Sequence, residues 1–218
     1  MPDGRSRREG EGLEFERVWF FTDAVFAIAF TLLIVEVGLP EIREGLDADD
    51  PRNMLDALVD KVPVIVAFVI GCFAIGGYWM ANRRFVARIA AVDGRFVFLV
   101  VIYLMFVAFL PFSVGTLGEF FDNPISVAVF AVNIAFVSTM EAVLLGYAWR
   151  HDLLEERDPA EVHKWSMQMS IAPVALFLLS IPVAFIASWL GVLVWLGSIP
   201  LQAFLGRRKP AGADRYLE

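Results

Sequence analysis

The sequence predicts an all-α integral membrane protein that crosses the bilayer six times and keeps both termini in the cytoplasm. Three observations carry this reading. First, 58% of the 218 residues are hydrophobic and only 20% are charged. A soluble domain is typically about 45–50% apolar and about 25% charged, so this chain lacks the polar residues for a water-facing surface. Second, the apolar residues form long uncharged blocks, each near the ~20 residues that span a ~30 Å hydrocarbon layer. Third, the basic residues fall almost entirely in alternate connections between those blocks.

The elements follow in order. Residues 1–16 are a polar N-terminal tail without the basic-then-apolar order of a signal peptide, so the first block is read as a retained span. Spans are expected at 18–39, 57–80, 96–117 and 125–149. The stretch 165–205 is too long for one helix and divides near Ala187 and Ser188, with Pro173 and Pro182 as kinks or boundaries. The transmembrane domain is thus 17–206, followed by a polar cytoplasmic tail at 207–218.

Positive residues are retained on the cytoplasmic side. Six spans put the N-tail, the second and fourth connections and the C-tail on that side. These carry Arg5, Arg7, Arg8 and Arg17; Arg83, Arg84, Arg88 and Arg95; Arg150, Arg157 and Lys164; and Arg207, Arg208, Lys209 and Arg215, fifteen of the 18 basic residues. Only Arg43, Arg52 and Lys61 fall opposite, and an odd number of spans would spoil the asymmetry. The outer side is acidic, with Glu41, Glu44, Asp47, Asp49, Asp50, Asp56 and Asp60 in one connection and Glu119 and Asp122 in the next. Such a field concentrates cations. The ordinary reading of a charge run is nevertheless a solvated loop, here with a helix N-cap at Asp50 before Pro51.

Several function classes are excluded or disfavoured. The single Cys72 permits neither a disulfide scaffold nor a zinc ribbon. With a net charge of −7 and no dense basic block, nucleic acid is not an expected partner. No catalytic motif is present, and His151 and His163 read as surface groups in the fourth connection, so neither enzyme activity, metal, cofactor nor small-molecule substrate is expected. A secondary transporter would show repeated halves beside its broken helices, and only the prolines hint at breaks.

Ionisable groups inside spans usually face protein or a water path. Asp23, Glu36 and Glu141 are the three here, with Asn133, Ser138 and Thr139 beside Glu141. An ion route is one reading. A packing network that pairs Asp23 and Glu141 with Arg17, Arg84 or neighbouring polar groups is preferred. In projection, Ile28, Leu32 and Val35 form one stripe of the first helix, extended by Phe21, Val25 and Leu39. Asp23 lies about 140° from Ile28, Glu36 about 80° and Thr31 about 60°. By spacing alone, such an aliphatic stripe is more often lipid-facing or packed than pore-lining.

The segment Arg17-Val-Trp-Phe-Phe21-Thr22-Asp23-Ala-Val25-Phe-Ala-Ile28-Ala-Phe-Thr31-Leu32-Leu33 resembles the first-helix signature of the transmembrane protein 175 family. Thr22 stands where that family usually has Ser. Tyr78-Trp79-Met-Ala-Asn82-Arg83-Arg84 is similar to the end of the family's second helix, with Asn82 where His is common. Val92-Asp93-Gly94-Arg95 and Leu110-Pro111-Phe112 also look familial. The resemblance implies a potassium-permeable channel that lacks the Thr-Val-Gly-Tyr-Gly filter. It implies one six-helix unit per chain in a homotetramer of a bacterial inner membrane, with four first helices lining the pore. On this resemblance Ile28, Leu32 and Val35 constrict the pore, and Arg17, Phe21, Thr22, Asp23, Trp79 and Asn82 brace the helix; the offsets in projection then put Thr31 and Glu36 beside the pore. Family members differ in proton permeability, which leaves a proton leak or a weakly selective cation pore as the alternative.

Overall fold

The structure is a computed structural model that describes residues 4–45, 47, 49–211 and 213, with side chains from residue 16 onward. The side chains of Arg5, Arg7 and Arg8, and Arg215 as a whole, lie outside the described residues. The described chain is helical apart from its connections, with one isolated antiparallel bridge between Ile89 and Leu154.

Six helical segments are long and apolar enough to cross a membrane. The first lies in α1 (Gly4–Val37), so the helix begins well inside the polar N-tail. Residues 13–37 contain neither Gly nor Pro. Gly38, with φ of 62°, then ends the helix in the left-handed region that favours glycine. Leu39, expected to extend the apolar stripe, therefore lies beyond the helix.

The second span starts later than expected. Residues 57–60 belong to a separate amphipathic helix, α2 (Pro51–Asp60), and the span itself is α3 (Val62–Val86). Pro51 and Pro63 each sit in a first helical turn, where a missing N–H leaves no bond unmade. Asp50 caps α2 as its sequence suggested, accepting from the Arg52 N–H at 2.9 Å. The third span is broken into α4 (Gly94–Ala108) and α5 (Leu110–Glu119) at Phe109, two residues before Pro111. α6 (Pro124–Arg150) is the unbroken fourth span, capped by Asn123 on the Ile125 N–H at 2.9 Å. α7 (Ala160–Ala184) contains Pro173 and ends two residues after Pro182. The sixth span is α8 (Ser188–Leu196) plus α9 (Ser198–Arg207), which places the division of 165–205 at the expected residues.

α6 is the hub. It packs against α4 and α5 on one side and α7 and α8 on the other, while α1 packs on α3, α4 and α5. Phe130 of α6 is fully buried between the ring of Phe177 on α7 and that of Trp195 on α8. The helices also approach closely where glycine allows it: a Cβ on Gly118 of α5 would lie 2.8 Å from the Val64 Cα of α3. Hydrogen bonds tie buried polar groups across the spans. Asn133 Nδ2 donates to Ser113 Oγ at 3.1 Å, and Tyr78 shares a hydrogen bond with Ser138.

On the face bearing the termini, two connections clasp each other. The Ala90 N–H donates to Leu153 O at 2.9 Å, and the Glu155 N–H to Arg88 O at 2.9 Å. The largely buried Arg88–Asp158 ion pair closes the clasp, and Trp149 Nε1 donates to Asp158 O at 3.0 Å. His163 stacks on Trp149 with ring centroids 4.4 Å apart, so it is a packed group and not the surface residue its polar surroundings suggested.

Candidate functional site

The site is built on α1, whose two faces have opposite fates. Thr22, Phe26, Ala29 and Leu33 are spaced four, three and four residues apart and are all buried against α3, α4 and α5. Phe26 meets the ring of Tyr103 on α4 at 6.1 Å, and Leu33 is fully enclosed. About 120° around the helix, Ile28, Leu32 and Val35 are 58%, 44% and 67% exposed. Their own chain gives these residues little cover. Phe21 continues the same face below them and is exposed too.

Thr31 is also exposed, and its hydroxyl is satisfied locally by Ile28 O at 3.0 Å. Glu36 leans the other way. Its carboxylate lies over Gly115 of α5, where any added Cβ would collide with it. Its side chain thus reaches for its own bundle, and glycine at 115 makes the room.

The residues expected to brace α1 divide into two groups. Asp23 Oδ1 accepts from Trp79 Nε1 at 3.1 Å, which joins the first and second spans. Thr22 is buried beside it and bonds back to Val18 O at 2.9 Å, so a hydroxyl at this position serves whether the residue is Ser or Thr. Asn82 is buried one turn beyond Trp79, and the Arg83 guanidinium lies 6.0 Å from the Trp79 ring. Arg17 and Phe21, by contrast, stand exposed on α1. The partner of Asp23 is thus an indole from the second span and not one of the arginines considered from sequence. Glu141 and Arg84 do come together, on the wall of one cavity near the terminus-bearing face.

Sequence reasoning missed the clasp residues Arg88, Trp149 and Asp158. Arg88 and Asp158 are 70 residues apart, and neither carries a local signal of its partner. It also missed the Tyr147–Asp93 contact, where the phenol donates to the carboxylate at 2.9 Å. Asp93 caps α4 by accepting from the Phe96 N–H at 2.7 Å. That backbone hydrogen bond, together with the phenol, holds the Asp93 carboxyl below its ordinary range despite the opposing effect of desolvation. A cap could have been expected from Asp-Gly ahead of an apolar run, but its tyrosine partner could not.

Chemically, the arrangement offers no nucleophile–base pair, and no cluster of metal-binding side chains occurs among the described residues. What it offers is a rigidly buttressed helix with an uncovered aliphatic face.

Comparison with known proteins gives a consistent match. The sequence profile of the family described as the endosomal/lysosomal potassium channel TMEM175 matches residues 17–111. A potassium channel of Chamaesiphon minutus is 28% identical over 188 residues, covering 84% of this chain and 90% of that one. A potassium channel of Streptomyces collinus is 32% identical over 138 residues, 63% of this chain and 64% of the relative. In three dimensions the fold superposes on the crystal structure of a lysosomal potassium-selective channel TMEM175 homolog from Chamaesiphon minutus. That match has a TM-score of 0.71 at 24% identity and covers 91% of this chain and 99% of the other.

Proposed function

We propose that the chain is a TMEM175-type channel, potassium-permeable, whose pore is lined by the first helix of each subunit. The observation that carries the pore assignment is the division of α1 into a buried face and an uncovered one bearing Ile28, Leu32 and Val35. Burial of Phe26, Ala29 and Leu33 fixes the rotation of the helix, so the aliphatic stripe is held away from its own bundle.

Four copies around an axis would gather four such stripes into rings. A ring of isoleucines at Ile28 makes a narrow, dry neck. Such a constriction gates by dewetting, and it favours the more easily dehydrated K⁺ over Na⁺. Leu32 and Val35 add further apolar rings toward the acidic side. The Asp23–Trp79 bond and the buried Thr22 and Asn82 hold α1 against α3, and do not coordinate the ion. Glu36, drawn over Gly115, sits at the side of the path.

The protein is multi-pass in a lipid bilayer. From the family likeness we infer a homotetramer in a bacterial inner membrane, and from the distribution of arginine and lysine we place both termini in the cytoplasm. The permeant ion is K⁺, and the mechanism calls for no cofactor, nucleic acid or small-molecule substrate.

The test is ion flux from purified protein in liposomes under K⁺, Na⁺ and H⁺ gradients. Single-channel currents that prefer K⁺ are expected. Saturable substrate exchange without such currents would sink the channel reading, and a pure proton current would select the leak alternative. Ile28→Asn should wet the neck, raise cation flux several-fold and erode the K⁺ preference. Wild-type behaviour of Ile28→Asn, with Leu32 and Val35 variants altered instead, would move the neck outward.

A further inference from the structure

Near the terminus-bearing face, α3, α6 and α7 enclose a cavity of about 420 Å³ that the ion path does not use. Its wall has two chemistries. Arg84 of α3, Arg88 in the connection that follows it and Lys209, two residues past α9, bring positive charge to it from separate segments. Leu145 of α6 and Met169 and Trp165 of α7 give it apolar sides, and Trp165 Nε1 is anchored to Leu205 O at 2.9 Å. The Ser166 hydroxyl also lines the cavity and is buried without a hydrogen-bond partner. Two acids oppose the bases: Glu141 on the wall, within the field of Arg84, and Asp158, paired with Arg88.

Depth narrows the choice of ligand. Arg84 is two residues from the end of α3, so the charge sits where the span leaves the membrane. Ala81, also on the wall, is five residues before the end of α3, about 7.5 Å along the same helix toward the membrane interior. The cavity therefore runs from headgroup level into the hydrocarbon layer. A soluble anion would use only its mouth, whereas an amphiphile with an anionic head uses both parts. Basic pockets between helices at this level suit lipid phosphates.

We propose that this cavity binds an anionic phospholipid of the leaflet on the terminus side. Arg84 and Lys209 hold its phosphate, the Ser166 hydroxyl donates to a phosphate oxygen, and an acyl chain lies along Leu145 and Met169. The assignment does not depend on conduction and is read out by binding.

The experiment is native mass spectrometry of the full chain in detergent, titrated with phosphatidylglycerol or with phosphatidylcholine of the same acyl chains. Wild type is expected to retain phosphatidylglycerol preferentially. Arg84→Gln with Lys209→Gln should weaken that retention about thirty-fold, and Glu141→Gln should strengthen it about five-fold, with phosphatidylcholine unaffected. Should the double variant fail to fold, Ser170→Trp fills the cavity without touching a charge and should displace the lipid equally. Equal retention of the two lipids by wild type, or unchanged phosphatidylglycerol retention in the folded variants, would overturn the proposal. Displacement of phosphatidylglycerol by millimolar inorganic phosphate would overturn it in favour of a soluble-anion site.

Discussion

The first and fourth spans have almost the same hydropathy and opposite surroundings. The apolar window of α6 is 56% buried within the chain, and that of α1 only 22%. α6 meets its own neighbours on several sides, and α1 on one. Hydrophobicity explains why both helices leave water, and it says nothing about what each then touches. The polar side chains make the distinction. Those of α6, such as Ser126, Asn133 and Ser138, are buried and bonded to other parts of the chain. Among the described side chains of α1, Thr22 alone of the polar ones is buried, and Asp23 reaches sideways to Trp79.

Four tests sharpen or break this contrast, in order of their expected cost to stability. Phe130→Ala on α6 empties a fully enclosed site between Phe177 and Trp195, and should cost about 3–5 kcal/mol. Thermal unfolding of the detergent-purified protein measures it, and a small shift would mean that α6 is not the hub. Asp23→Ala removes the acceptor for Trp79 and should cost about 1–2 kcal/mol, with lower yield of assembled protein. Trp79→Phe should cost about the same, and the double variant little more than either alone. Normal assembly with altered ion preference would instead make Asp23 part of the ion path.

The third test concerns pH. Because the folded Asp93 carboxyl titrates below its unfolded value, its contribution is present above about pH 4 and is lost as pH falls through the lower folded value. Tyr147→Phe should reduce the stability of the protein at neutral pH, with the gap to wild type closing below about pH 4 in melting curves. A gap that persists undiminished in acid would assign the tyrosine a packing role alone. The smallest stability effect is expected from Ile28→Asn, under about 1 kcal/mol, even though its flux changes. Strong destabilisation there would place Ile28 in an interior interface and not on a water path.

Much of the architecture was legible before any coordinates. Six spans, the division at Ala187 and Ser188, the Asp50 cap and the stripe on α1 all follow from local pattern, because each depends on residues close in sequence. The errors are local too. Leu39 was carried past a helix that Gly38 ends, and residues 57–60 were joined to a span that starts only at Val62. Partners distant along the chain were not legible. Nothing around Asp23 announces Trp79, and nothing around Arg88 announces Asp158, since each pair needs separate segments to pack first.

Sequence by itself determined that this chain lives in a membrane, how often it crosses, and which face of α1 is aliphatic. Those properties rest on transfer from water to hydrocarbon and on helical periodicity, both set by neighbours within a few turns. Tertiary structure decided which face of α1 the chain covers and which it leaves open. It also decided where Glu36 leans and that bases more than a hundred residues apart converge on one cavity. In lipid, every apolar surface is satisfied by hydrocarbon, so hydrophobicity alone cannot orient a helix about its axis. Close packing and the few buried hydrogen bonds do that, and they exist only once the bundle has formed.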